Sequence, residues 1–312
     1  MAVATGANAK IALAYESTFG TSPASGYFQL PFITFAHGQS QNLLEDDTIV
    51  VDRDPQRPGR GVIDASGTTR VPLDFRGIGY WLKLFMGDPV TTGSDPFTHV
   101  FSSGAASLPS ASIEQQHPDV PAFFLHNGVQ ANAWTLQIQA EGLVEMSINL
   151  IGSASPSSGT TGAGTPSVIT PVRFNQFQGT IDRDSSPLGK VLRATLPFTN
   201  NIAVSRYVND AGAVGDIDPG RTAANGEVTV RFDDLTLFAA AEAVTALELD
   251  LTWTISVGAS SINFNLPQID LGNAPAPIEG PGGVQATFPY QASRTAGEQM
   301  LDVTLINDIA SY

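Results

Sequence analysis

The chain of 312 residues contains no cysteine. Disulfides, thiolate nucleophiles and sulfur-ligated zinc are thereby excluded, and a metal site would have to be built from histidine and carboxylate alone. Lysine is nearly as scarce, represented by Lys10, Lys83 and Lys190. The formal charge of −15 argues against a surface that grips nucleic acid. No run of eighteen apolar residues is present to span a bilayer. The start, MAVATGANAKIALAY, lacks a basic segment followed by a long apolar run, so no secretory leader is expected.

Catalytic spacings are missing too. His37, His99, His117 and His126 show no HxH, HExxH or HxxxH pattern and read as surface or hydrogen-bonded side chains. The D-x-D pairs Asp52/Asp54, Asp182/Asp184 and Asp216/Asp218 carry oxygen ligands that suit calcium. None continues into a calcium loop, and their proline and serine neighbours are those of turns. Gly189-Lys190 resembles the end of a phosphate-binding loop, but Asp184 stands where the first glycine is required. GTTGAG at 159–164 has the wrong spacing for a dinucleotide fingerprint, and no G-x-S-x-G elbow occurs. No catalytic residue, metal or cofactor is assigned, and the chain is expected not to be an enzyme.

What the chain does contain is an internal echo. Residues 128–151 (GVQANAWTLQIQAEGLVEMSINLI) and 283–306 (GVQATFPYQASRTAGEQMLDVTLI) share GVQA, a glycine at Gly142 and Gly297, and a closing LI. They do so without gaps at a shift of 155 (283 − 128), close to half of 312. VPLDFRGIGYW at 71–81 and VTVRFDDLTLF at 228–238 keep their apolar positions at a shift of 157 (228 − 71). The PGR triplets at 58–60 and 219–221 follow in the same order. These matches predict a tandem duplication: a first domain at 1–152, a flexible linker at 153–167 (SASPSSGTTGAGTPS) and a second domain at 168–312.

Period-two alternation dominates both halves. Leu247, Leu249, Leu251, Trp253, Ile255 and Val257 face one way, and Ile262, Phe264 and Leu266 alternate again after GASS, which predicts a hairpin over 247–266. Trp134, Leu136 and Ile138, then Met146, Ile148 and Leu150 around an AEG turn, predict a second. One short helix is expected per half. One carries Ile78, Trp81, Leu82 and Phe85 within 77–86, and the other carries Leu235, Phe238 and Ala241 after a cap from Asp233 or Asp234. Two long polar stretches, 43–60 and 207–225, sit at equivalent places before the strands that lead into the helices.

These residues resemble the major tail tube proteins of long-tailed, non-contractile bacteriophages, in the subgroup with two tube domains in one polypeptide. In the first half the resemblance rests on KIALAYESTFGT (10–21), RGIGYWLKLFMG (76–87), FTHVF (97–101) and GVQANAWTLQIQAEGLVEMSINLIG (128–152). In the second it rests on LRATLPFTNN (192–201), GEVTVRFDDLTLF (226–238), FNLPQIDL (264–271) and LDVTLIND (301–308).

The resemblance implies a mainly β fold of two tandem β-sandwich tail-tube domains, each flanked by a short helix, whose inner sheets join into a barrel on oligomerisation. It implies a structural virion protein that self-assembles into stacked rings forming the tail tube, the conduit for DNA ejection. Single-domain members form sixfold rings, so a two-domain chain is expected to close as a homotrimer with pseudo-sixfold symmetry. The implied partners are the chain itself, a tape measure protein, and tail-tip and tail-terminator proteins. DNA passes through the lumen without specific binding, and no membrane is involved. Assembly is expected in the host cytoplasm, from soluble monomers.

In such proteins a long loop touches the next ring. The candidates are Glu45, Asp46, Asp47, Asp52, Arg53, Asp54, Arg57 and Arg60 in the first half, and Asn209, Asp210, Asp216, Asp218 and Arg221 in the second. An acidic lumen that repels DNA fits the net charge. The strand at 247–257 has no clean counterpart in the first half, FTHVF being the nearest match. The competing expectations are a carbohydrate-binding or adhesin-like pair of sandwiches, with Trp81, Trp134 and Trp253 stacking on sugars, and a hydrolase with a cryptic acidic pair, which no spacing favours. All three tryptophans fall on apolar faces, where core packing is the expectation.

Overall fold

The computed structural model describes residues 3–51, 53–208, 210–255, 260–278 and 280–312. The first half runs β1 (Lys10–Tyr15), β2 (Phe28–Leu30), β3 (Thr34–Leu44), β4 (Gly59–Pro72), α1 (Ile78–Met86), β5 (Val90–Gly93), β6 (Phe97–Ser102), β7 (Ala111–His117), β8 (Ala122–Gln139) and β9 (Glu145–Gly152). Two short strands follow, β10 (Ser157–Ser158) and β11 (Ser167–Val168). The second half runs β12 (Gly179–Arg183), β13 (Ser186–Pro187), β14 (Val191–Thr199), β15 (Ala203–Ser205), β16 (Asp216–Asp218), β17 (Asn225–Arg231), α2 (Thr236–Ala243), β18 (Leu247–Ile255), β19 (Ser260–Leu271), β20 (Gln285–Ala292) and β21 (Asp302–Asn307).

Alternation of apolar and polar residues makes each strand two-faced, and the two-faced strands assemble into a sandwich. One long antiparallel sheet runs β3-β4-β9-β8-β14-β17-β20. Against it lie two flanking sheets, β2-β1-β7-β8-β10 and β13-β12-β18-β19-β21-β6-β5. Strand β8 belongs to both layers: residues up to Val129 pair with β7, and those from Gln130 on pair with β9. The side chains between the layers form one hydrophobic cluster that includes Trp81, Leu136 and Ile148 from the first half and Phe198, Trp253 and Phe264 from the second. Among the described residues the barrel is not closed within one chain, since β3 pairs there only with β4.

Both expected hairpins are present. β18 pairs with β19 and β8 with β9, the turn at 256–259 lying outside the described residues. Helix α1 is buried on all sides except at Lys83, because strands of both halves surround it. Asp74 accepts hydrogen bonds from the Arg76 and Gly77 amides at its start, and Gly87 ends it at φ 86°, a conformation that favours glycine. The second helix buries Ala241 and sets the half-buried Leu237, Phe238 and Ala240 against the core, its other residues being exposed, and Asp234 holds the Thr236 amide ahead of its first turn.

The pairing pattern recurs between the halves. A shift of 159 (193 − 34) carries the Thr34–Arg70 pair of β3–β4 onto the Arg193–Thr229 pair of β14–β17. Shifts of 136 (247 − 111) and 140 (269 − 129) carry β7–β8 onto β18–β19, including the bulge after the Ala111–Val129 and Leu247–Ile269 pairs. In this scheme β8 corresponds to β19 and β9 to β20, whereas the shift of 155 sets β8 against β20 and β9 against β21. Strands that alternate with the same period look alike, so an alignment of apolar positions slides by a whole strand.

Two expectations change. The counterpart of the 247–257 strand is β7, not FTHVF. Its polar residues Ser112, Glu114 and Gln116 are buried, which hid its alternation. FTHVF forms most of β6, which crosses to the second half and pairs with β21. The stretch 153–167 is not a free tether either. The buried Glu114 carboxylate accepts hydrogen bonds from Thr161 Oγ1 (2.6 Å) and the amides of Gly162 and Ala163, while β10 pairs with β8. The glycine-rich run therefore cradles a carboxyl group, and that group is a side chain of its own chain.

Candidate assembly surfaces

Three of the joins between the halves stand out. β8 and β14 pair antiparallel from Ala133–Thr199 to Gln139–Arg193, which fuses two half-sheets into one. Beneath this junction Trp134 stacks on Phe198 at 4.7 Å and meets Phe85 of α1 edge-on at 4.8 Å. The buried Asn200 side-chain amide donates to the carbonyl oxygens of Phe85 (3.1 Å) and Ala131 (3.0 Å). The β6–β21 pair is the second join. The third is the segment after β21. Tyr312 lies edge-on to Tyr80 and His99, and its hydroxyl donates to the Arg76 carbonyl, while Asp308 pairs with Arg76. Gly79 leaves room for that ring, since a Cβ there would lie 2.2 Å from it.

The face of the long sheet turned away from the core is polar. Its residues include Thr68, Ser147, Asn149, Thr135, Gln137, Gln139, Thr195, Thr229, Thr287 and Gln291, set side by side by the strand registers. Asp64, Glu145, Glu227 and Asp270 are nearly balanced there by Arg70, Arg193 and Arg231. Glu145 pairs with both Arg70 and Arg173. The acidic surplus of the chain lies mostly off this face. Threonine, serine and amide side chains fit the pleat there and need no counter-charge.

Beyond Ala65, the last β4 residue paired with β9, β3 and β4 continue as a two-stranded arm. Its tip holds Glu45, Asp46, Asp47, Arg53, Asp54 and Arg57, with Arg60 at the start of β4, all exposed; Asp52 lies outside the described residues. Asp46 accepts hydrogen bonds from the Thr48 hydroxyl and amide, which hold its carboxyl below the usual range. The arm also leaves Leu43, Ile49 and Val51 in solvent, Ile49 at 94% exposure. That is a large apolar area to leave in water.

The second stretch behaves differently. It folds on itself through the β15–β16 pair, burying Val214 and Ile217, and leans on the base of the arm. The Ile63 amide donates to the Gly212 carbonyl (2.8 Å), and Arg206 donates to the Ile63 carbonyl (3.1 Å). Asp216 and Asp218 are exposed on β16, Asp210 sits in a turn, and Arg221 is exposed with its carbonyl held by Asn201. Asn209 lies outside the described residues. The two sets of predicted residues thus share one end of the molecule, although the first set projects and the second is folded down.

The histidines divide. His99 is buried and bonded through both ring nitrogens, to Thr91 Oγ1 and the Ile309 carbonyl. His37 on β3 and His126 on β8 meet edge-on at 4.8 Å, both buried. Burial pushes His37 down to about 4, and burial with the neighbouring His37 pushes His126 down to about 3. Nothing in the spacing of 37 and 126 announced this pair, because it forms only when β3 lies across the end of β9. Trp81, Trp134 and Trp253 are buried to 1% exposure or less, so they offer no platform to a sugar. Among the described residues no group of three or more histidines and carboxylates is placed to hold a metal.

A two-layer β sandwich with an unpaired edge strand, a polar wall and a projecting arm is a part for assembly. The family model for phage tail tube proteins matches residues 6–292. The chain belongs to the phage tail tube protein family. No curated protein matches the chain. Membership makes it a structural component of the tail tube, located in the virion tail and self-associating.

Proposed function

We propose that three copies of this chain close into a ring of pseudo-sixfold symmetry, and that the rings stack into the tube through which DNA is ejected. The observation that carries this reading is the β8–β14 junction. It joins two equivalent half-sheets edge to edge, and β3, the counterpart of β14 under the shift of 159, has the same edge open. A second copy supplies the missing strand, and the operation repeats until the barrel closes. The two halves are then copies of one domain, held together by the crossing of β6 and by Tyr312.

The polar face of the long sheet lines the lumen in this arrangement. A wall of threonine, serine and amide groups with nearly balanced charge gives a phosphate backbone little to bind, which replaces repulsion by carboxylates as the reason DNA slides. A tape measure protein occupies the lumen before ejection, and tail-tip and tail-terminator proteins cap the ends. The arm carries the contact to the next ring, with Glu45, Asp46, Asp47, Arg53, Asp54, Arg57 and Arg60 at its rim. Native mass measurement of isolated rings together with electron microscopy of assembled tubes tests the reading. Three chains per ring are expected, and six would overturn it.

A further inference from the structure

At the end of the molecule opposite the arm, β8, β12 and β14 leave a cleft. The strand registers set Arg70 level with Thr135 and Pro197, so Gln139 and Arg193, which line the cleft, lie four residues further from the arm. From Gly59 at the base of the tip, that is roughly 50 Å along the strands. The cleft is walled by Ile138, Phe177, Ile181, Leu192 and Trp253. Phe177 is 74% exposed and Leu192 is exposed, while the Trp253 indole N–H is buried without a hydrogen-bond partner.

We propose that this cleft receives the apolar tip of the arm, Ile49 to Val51, from a second copy of the chain in the next ring. The inference rests on the stacking proposed above and adds the receiving surface. The two features are complementary in chemistry. An apolar tip and an apolar cleft are both bare in the single chain, and joining them removes both from water. Charge agrees: Asp47 beside the tip has no partner among the described residues, and Arg193 on the cleft wall pairs with no carboxylate there, its Nε donating to Thr229 Oγ1. Asp182 on the same wall faces Arg53 and Arg57 of an incoming arm in sign. Tip and cleft lie at opposite ends, so the contact is head-to-tail, and a head-to-tail contact that does not close propagates as a filament.

The test uses the absence of native cysteine. In the double variant Val51→Cys, Phe177→Cys, the only two thiols lie at tip and cleft, and a short bis-maleimide is added to assembled tubes. A ladder of products running past three chains is expected, absent from unassembled protein. In parallel, Phe177→Ser with Leu192→Ser should leave rings intact while raising the protein concentration needed for tubes roughly tenfold or more. Both side chains are exposed, and an unchanged circular dichroism melt confirms the fold. Wild-type assembly of the serine variant overturns the inference. So does a stacking defect without cross-linking to Val51, because another segment then fills the cleft. In both outcomes tubes of the unmodified protein still stand, whereas absence of rings and tubes would defeat the function proposed above.

Discussion

Asn200 shows how one side chain ties two halves together. Its amide is the partner of two buried carbonyls, one at the end of α1 and one in β8. Asn200→Ala leaves both without that donor, and a loss of about 1–3 kcal/mol is expected, read by urea unfolding. The histidine pair sets a pH dependence. In the unfolded chain both rings take up protons near 6.5, but in the fold they resist until about 4 and about 3. Between about 6.5 and 4 the unfolded chain therefore binds more protons, so their contribution is full above 6.5 and is lost as pH falls. Asp74 acts in the opposite sense. Burial raises its carboxyl to about 6, so its contribution is present at low pH and is lost as pH rises through 6. Melting temperatures from pH 4 to 7 should show a shallower acid limb for His37→Phe with His126→Phe, and a steeper one for Asp74→Asn.

At the scale of elements, legibility followed the faces. The 247–266 hairpin and the β8–β9 hairpin were readable because each has one dry face and one wet face. Helix α1 was readable because Ile78, Trp81, Leu82 and Phe85 recur at helical spacing. Strand β7 was not, since the segment 153–167 covers its polar side and Glu114 is buried there. The carboxylate is held by donors of that segment, and Glu114→Ala removes their acceptor. Faster limited proteolysis within 156–166 is expected, with the melt of the strands changed far less. An unchanged cleavage rate would show that β10 and β11 suffice to hold the segment.

For the whole molecule, the open edge of β3 is the decisive feature of the proposed ring. Ala36→Lys with Gly38→Lys places two charges on that exposed edge without touching the core. A folded chain that no longer closes into rings is expected by light scattering, while wild-type protein forms them. Ring formation by the lysine variant would place the joint on another strand. If the ring closes as proposed, its six wall positions are alike but its ends, carrying the arm and the folded-down second stretch, are only threefold alike, which threefold averaging of tube images should resolve.

The amino-acid sequence by itself determined the class of the molecule. With period-two alternation in both halves, it dictated a mainly β fold, because local periodicity needs no partner to be seen. The tertiary structure alone decided which strands correspond, that β6 and Tyr312 lock the halves together, that the presumed linker is pinned by Glu114, and that the polar wall is close to neutral. These depend on register and on contacts across 47 to 236 residues of chain, such as Thr161 on Glu114, Asn200 on Phe85 and Tyr312 on Arg76. Alternation is the same in every strand, so it tells which side of a strand is dry but not which strand lies beside it.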